Sequence, residues 1–200
     1  MSYVAEHSAL TQTVAPTIDP VSLADLKVHC RVDHTDDDAY LLGLIAVATN
    51  TCESFTGRQL INATYTLKLD GFPCDDKIEL PKPPLSSVTS ITYIDTAGTS
   101  QTVTAADYQV DVASIVGRVM PAYNAYWPAT RHGQYNVVTV MFVAGYGATA
   151  ATVPIRLRQG IKAFAATMYE HREIVVIGTI KTEIPEVYRA LWYPLKLVQA

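Results

Sequence analysis

Thr35-Asp-Asp-Asp-Ala-Tyr-Leu-Leu-Gly-Leu-Ile-Ala-Val-Ala-Thr-Asn-Thr-Cys-Glu-Ser-Phe-Thr-Gly-Arg58, followed within a few residues by Ala63-Thr-Tyr-Thr-Leu-Lys-Leu69, sets the architecture. In the first stretch Leu41, Leu42, Leu44, Ile45, Ala48, Cys52 and Phe55 recur with the period of a helix that has one apolar face. Thr35 is placed to cap it. Asp36, Asp37 and Asp38 fall in a first turn, where carboxylates meet the positive end of the helix dipole. Gly57 is a natural stop. The second stretch is built of Thr, Tyr and Leu, the composition of a strand. The chain therefore turns from helix to sheet near residue 60.

Toward the N-terminus, Ser22-Leu-Ala-Asp25 is a variant capping box. With Leu23, Leu26 and Cys30 at helical spacing it predicts a helix over 22–31, ahead of the one over 36–56. Residues 1–20 are rich in Ser, Thr and Ala, hold Pro16 and Pro20, show no periodicity, and read as an extended arm.

Toward the C-terminus, Thr, Val, Tyr and Ile alternate with turn residues, which predicts an antiparallel β insertion over 60–147. Its expected strands are 63–69, 77–80, 88–95, 100–104, 108–111, 118–120 and 136–146, with Asp95-Thr-Ala-Gly98 as a hairpin turn and Lys82-Pro-Pro84 as a break. Val153-Pro154 opens a third helix, expected over 154–171. Ile155, Ile161, Ala165 and Met168 mark its face, and Leu157, Phe164 and Tyr169 widen it. His171-Arg-Glu173 reads as its C-terminal cap rather than an acid–base cluster. Residues 173–200 form a tail with a short apolar helix from Glu186 to Tyr193, framed by Pro185 and Pro194. The fold class is α+β: an α-helical bundle, domain 21–172, with an inserted antiparallel β-sheet region and an extended C-terminal arm.

Composition narrows the function. Among 200 residues, 15 basic and 19 acidic side chains leave a net charge of −4. That argues against gripping nucleic acid, whose affinity comes mainly from neutralised phosphates. Charged residues make up only 17 % and hydrophobic residues 49 %. So few charges imply surface covered by other subunits or by a membrane. Residues 133–155 carry no charge, but Gln134, Asn136, Gly145, Gly147 and Pro154 interrupt them, and only 137–144 is nearly continuous and apolar. That is strand length, not the ~20 residues of a membrane span. Residues 1–10 lack a basic and apolar leader, so synthesis in the cytosol is expected.

Catalytic and metal readings find little support. Cys30, Cys52 and Cys74 form no CxxC pair, and the first two fall on apolar helix faces, where a thiol is inert. There is no GxSxG, HExxH or P-loop. The Asp36–Asp38 run lacks the alternation and glycine of a calcium loop. No catalytic residue, metal ligand or cofactor is expected. Tyr123, Tyr126, Trp127 and Tyr135 form an aromatic loop that reads first as a core lining or subunit contact, and otherwise as a binding site for a sugar or base. Charge is uneven: residues 1–150 hold 8 basic and 15 acidic groups, net −7, and residues 151–200 hold 7 and 4, net +3. Opposite ends of opposite sign suit a head-to-tail assembly.

Several segments in order carry a resemblance. Val21-Ser-Leu-Ala-Asp-Leu-Lys-Val-His-Cys-Arg-Val-Asp33, Asp36-Asp-Asp-Ala-Tyr-Leu-Leu42 and Glu53-Ser-Phe-Thr-Gly-Arg58 come first. They are followed by Leu69-Asp-Gly-Phe-Pro73, Ile78-Glu-Leu-Pro81, Val88-Thr-Ser-Ile-Thr-Tyr93, Tyr108-Gln-Val-Asp111, Trp127-Pro128, Phe142-Val-Ala-Gly-Tyr146, Val153-Pro154 and His171-Arg-Glu173. Together, from Val21 to Glu173, they resemble the head–tail connector, or adaptor, proteins of tailed bacteriophages, in the longer, β-inserted branch. The resemblance implies a structural virion protein without enzymatic activity, made in the bacterial host's cytoplasm and located in the neck. It implies a ring, typically of twelve subunits, beneath the portal protein. Such a ring extends the channel through which packaged DNA passes without specific binding, and it receives the stopper or tail. It further implies a portal-docking tail over 173–200, with Tyr188, Leu191, Trp192, Tyr193 and Leu195 as anchors. The alternatives are a monomeric binding module that uses the Tyr/Trp loop on a glycan or protein, and a hydrolase that uses a cysteine.

Overall fold

The computed structural model describes residues 8–171 and 186–197. The chain divides into two units, each assembled from separated stretches: 1–16 with 62–146, and 17–61 with 147–200.

The first unit is all antiparallel sheet. Strands β1 (Ser8–Val14), β2 (Ala63–Leu69), β4 (Leu85–Ile94), β5 (Ser100–Thr102) and β8 (Val138–Ala144) form a five-stranded sheet in the order β1-β2-β8-β4-β5. Strands β3 (Ile78–Leu80), β6 (Tyr108–Asp111) and β7 (Gly117–Pro121) form a second sheet in the order β3-β7-β6. Side chains alternate across a strand, so β8 buries Val138, Val140, Phe142 and Ala144 while the residues between them are half-exposed. Leu67, Ile91, Ile78, Leu80 and Val119 join that cluster, so both sheets share one apolar core. Gly117 has no room for a Cβ because the Leu85 side chain occupies the place, which is why this β7 position carries none. Register shifts between Leu85 and Ser87 and between Val88 and Ser90 mark irregularities in β4, where a bulge bends the strand.

The expected turn is present. The Gly98 N–H donates to the Asp95 carbonyl at 2.9 Å, and the Asp95 carboxylate accepts from the Ala97 and Thr99 N–H groups at 3.0 and 2.9 Å. Gly98 has φ +90, which favours glycine. The N-terminal arm is the main departure: its residues 8–14 are β1, whose Leu10 faces Leu67 of β2 in antiparallel register. Backbone pairing to β2, not a side-chain pattern, makes this strand, so its Ser/Thr composition concealed it. Residues 1–7 of the arm lie outside the described residues.

The second unit is helical. Helix α1 (Leu23–Cys30) starts as expected, with the Asp25 N–H donating to Ser22 Oγ at 3.1 Å. Helix α2 (Asp38–Thr56) begins later than expected, since Asp37, not Thr35, stands at its N-cap without making a side-chain cap. The reason is tertiary: the Asp37 carboxylate accepts the Tyr169 hydroxyl at 2.6 Å. Gly57 ends the helix at φ +71, as its position required. Helix α3 (Ile155–Glu170) buries Leu157, Gly160, Ile161 and Ala165, whereas Ile155 is 56 % exposed. The buried stripe therefore opens at Leu157, which stands four residues before Ile161 and eight before Ala165. Helix α4 (Glu186–Trp192) continues into a 3-10 turn, Tyr193–Leu195. At the end of α3 the His171 N–H donates to the Thr167 carbonyl at 2.9 Å, while Arg172 and Glu173 lie outside the described residues. No helix among the described residues is long and apolar enough to cross a membrane.

Candidate functional site

Two regions concentrate the residues singled out from the sequence, one in each unit. In the helical unit, Glu53-Ser-Phe-Thr-Gly-Arg58 proves to be a clamp. The Glu53 carboxylate accepts from Gln59 Nε2 at 2.8 Å and from the Leu60 N–H at 2.9 Å, turning the chain away from α2. Arg58 Nε donates to the Leu195 carbonyl at 2.7 Å, and the Leu197 N–H donates to the Thr56 carbonyl at 2.9 Å. Gly57 leaves space that the Leu197 side chain enters. The end of α2 thus holds the C-terminal segment through three consecutive residues, Thr56, Gly57 and Arg58. Sequence reading used these residues for resemblance and missed their role; the signal was a cation directly after a helix-stopping glycine.

The five expected anchors separate into two kinds. Tyr188 and Trp192 lie one helical turn apart and are buried. They pack edge-on against Phe164, with ring centroids at 5.2 and 5.9 Å, and Trp192 also meets Phe55 at 6.1 Å. The Tyr188 hydroxyl is hydrogen-bonded to Thr167 Oγ1. The Trp192 indole N–H is buried without a hydrogen-bond partner among the described residues. Leu191 and Leu195 are half-buried. Tyr193 is 61 % exposed and points its ring to solvent. Residues 173–185 and 198–200 lie outside the described residues.

In the sheet unit, the loop after β7 exposes Tyr123, Tyr126 and Tyr135 by 92, 84 and 79 %. Trp127 does not join them. Its ring stacks on Phe72, with centroids 4.6 Å apart and planes within 5°, and its Nε1 donates to the Asp76 carbonyl at 3.0 Å. Trp127 is the support of the loop, and the tyrosines are its outer surface. No core lining is formed by these three tyrosines. Tyr offers large contact area at low entropic cost, so a supported Tyr cluster is suited to contact another macromolecule.

Two of the three thiols, Cys52 and Cys30, are placed as structural groups. Cys52 is buried, and burial together with the Glu53 charge pushes its pKa far up, away from the reactive thiolate. Burial also raises Cys30, with Glu170 adding to it. Cys74 is exposed. Among the described residues no cluster of three His, Cys, Asp or Glu could hold a metal ion. Asp36 is exposed on its loop.

An all-antiparallel sheet unit and a helical unit that locks its own C-terminal segment describe a scaffold with outward contact surfaces. Comparison with known proteins agrees. Residues 20–115 match the family model described as phage gp6-like head-tail connector protein. No curated protein matches the chain. Solved structures are similar over nearly the whole length. A chain from the neck of an empty gene transfer agent (GTA) particle, treated with C6 symmetry, is 26 % identical with a TM-score of 0.76, covering 96 % of this chain and 97 % of that one. One from the virion of the native GTA particle is 27 % identical with a TM-score of 0.78, covering 96 % of each chain. One from the neck of the native particle, treated with C12 symmetry, is 26 % identical with a TM-score of 0.74, covering 96 and 97 %. These findings support a structural connector role, and residues 20–115 are the stretch similar to the gp6-like head-tail connector family.

Proposed function

We propose that this connector is a non-enzymatic component of a virion neck, assembled there as a ring, dodecameric in the particle. The carrying observation is likeness along 96 % of the chain to neck proteins of symmetric particles. In this reading the ring sits beneath the portal protein, extends the channel for packaged DNA and receives the stopper or tail. The net charge of −4 suits a wall that DNA slides past, since no excess of cations holds phosphates. Residues 173–200 dock on the portal. Tyr193 is the exposed anchor of the five, with Leu191 and Leu195 beside it, while Tyr188 and Trp192 hold the segment in shape from beneath.

The test is sedimentation of the purified chain alone and with the portal protein encoded in the same genome. A ring, or a monomer that co-sediments with the portal, supports the reading. A monomer indifferent to the portal overturns it. That second outcome favours the other reading, a monomeric module whose exposed Tyr123, Tyr126 and Tyr135 bind a glycan or protein, for which their exposure is the supporting observation.

A further inference from the structure

Helix α2 is unusual for a surface helix. From Ala39 through Cys52 it holds no Asp, Glu, Lys or Arg, and yet one side of it is open. Leu42 and Val47 are 46 and 51 % exposed, and Ala39, Gly43, Ala46 and Asn50 are exposed beside them. An exposed helix face is ordinarily charged, and a helix apolar all round is ordinarily covered. Gly43 adds an independent observation. It stands inside the helix, where glycine weakens a helix relative to alanine, and beyond its adjacent residues and the helix's own backbone no atom of the described residues lies within 4 Å of where its Cβ would be. Nothing among the described residues calls for a glycine there, whereas a close neighbour outside the subunit would.

The charges indicate which neighbour. On α3, Ile155, Arg156 and Gln159 are exposed and Arg158 and Lys162 half-buried. Among the described residues no carboxylate pairs with Arg156, Arg158 or Lys162. The first turn of α3 has no acidic residue, so cations stand at the positive end of the helix dipole. Near the start of α2, Asp33 and Asp36 are exposed, and the ion pair Asp36 makes is a 4.0 Å approach to His34. These two groups cannot meet within one subunit. The bond from Tyr169 to Asp37 sets the start of α2 beside the end of α3. Arg156 and Arg158, in the first turn of α3, therefore lie at the far end, about 16–20 Å along the helix axis from Tyr169, and Lys162 stands midway, about 10 Å from it. Opposite charges at opposite ends of one unit are complementary between copies, in the heterologous arrangement that closes a ring.

We propose that the uncharged face of α2 is covered by a second copy of this chain, whose α3 face of Ile155, Arg156, Gln159 and Lys162 lies along it and brings its cations to Asp33 and Asp36. This rests on the ring reading above and assigns the ring's subunit contact. The test uses two full-length variants, each blocked on one face: Val47→Arg on α2, and Arg156→Glu with Lys162→Glu on α3. Sedimentation velocity over a concentration series is read beside circular dichroism. Wild type forms the ring, while each variant alone stays monomeric until concentrations at least about tenfold higher, because like charges or a buried cation now oppose contact. An equimolar mixture of the two stops at a dimer, each chain supplying its one intact face. Gly43→Ala raises the melting temperature of the free chain and weakens assembly. If Val47→Arg does not fold, Ala46→Arg, at an exposed position, takes its place. Rings from both variants as from wild type overturn the assignment of this face and leave the ring standing. Where wild type assembles only on the portal protein, the variants are compared there by the same readout, and wild type that neither forms a ring alone nor co-sediments with the portal removes the ring and this contact with it.

Discussion

The Trp192 indole lies so close over Gly160 that a Cβ at residue 160 would overlap it. This is a backbone-to-ring contact between α3 and α4, and it fixes where the C-terminal helix rests. Gly160→Ala must push the indole out of the Phe55–Phe164 cluster, an overpacking cost of about 1–3 kcal/mol. Gly43→Ala, in the open middle of α2, instead adds helix propensity worth about 0.5–1 kcal/mol. Thermal melts of the two variants therefore shift in opposite directions. A shared sign contradicts one of the two placements.

Trp192 and Tyr193 are adjacent and have opposite duties. Trp192→Ala empties a fully buried site and costs about 3–5 kcal/mol of stability in urea unfolding. Tyr193→Ala removes an exposed ring and leaves the unfolding midpoint where it was. If the tail docks on the portal, Tyr193→Ala weakens co-sedimentation with it. Equal loss of stability in both variants would place Tyr193 in the core.

Acid acts on the β6–β7 hairpin through Asp111. Its carboxyl is held far below the usual range by the Ser114 hydroxyl at 2.6 Å, by Arg118 Nε at 2.8 Å, and by the Ser114 and Ala113 N–H groups. Asp95 is lowered likewise, by the Thr99 N–H first and then Gln101. A depressed carboxyl stabilises the fold above its unfolded pKa of about 3.9 and loses that contribution as pH falls toward the folded value. Asp111→Asn should melt below wild type at neutral pH. The gap should narrow as pH drops under about 4 and close only in strong acid. A gap constant across pH would mean the contribution is steric.

Thiol labelling separates the three cysteines. Cys74 is exposed and reacts first with a neutral alkylating reagent. Cys30, half-buried with a raised pKa, follows slowly, and Cys52 is protected until the chain unfolds. Mass spectrometry of timed samples reads the order. Early labelling of Cys52 would show that the α2 core opens readily.

Much of this was legible where one local rule dominates. Period and a stop glycine defined the end of α2, and strands 63–69 and 108–111 matched to the residue, because turn residues bracket them. What escaped was set at long range. The start of α2 moved because Asp37 is engaged by a hydroxyl 132 residues away. β1 was hidden because an edge strand of Ser, Thr and Gln is specified by its partner's backbone. Tyr123, Tyr126, Trp127 and Tyr135 read as one group, yet only the pairing of Trp127 with Phe72 distinguishes the post from the surface it carries. Of the tail residues, the helical spacing of Tyr188 and Trp192 already held the burial that the anchor reading overlooked.

The central strand of the large sheet is also the last one synthesised. β8 joins β2 on one side and β4 on the other, with Ala144 facing both Ala63 and Leu85. Until the ribosome has passed that residue, β1–β2, joined across α1 and α2, and the β4–β5 hairpin are two separate strand pairs of this sheet with open edges. Contacts this distant in sequence close slowly, and unpaired edges invite pairing with other chains. The window of greatest exposure to misassembly therefore comes during translation, before there is any finished subunit to enter a ring.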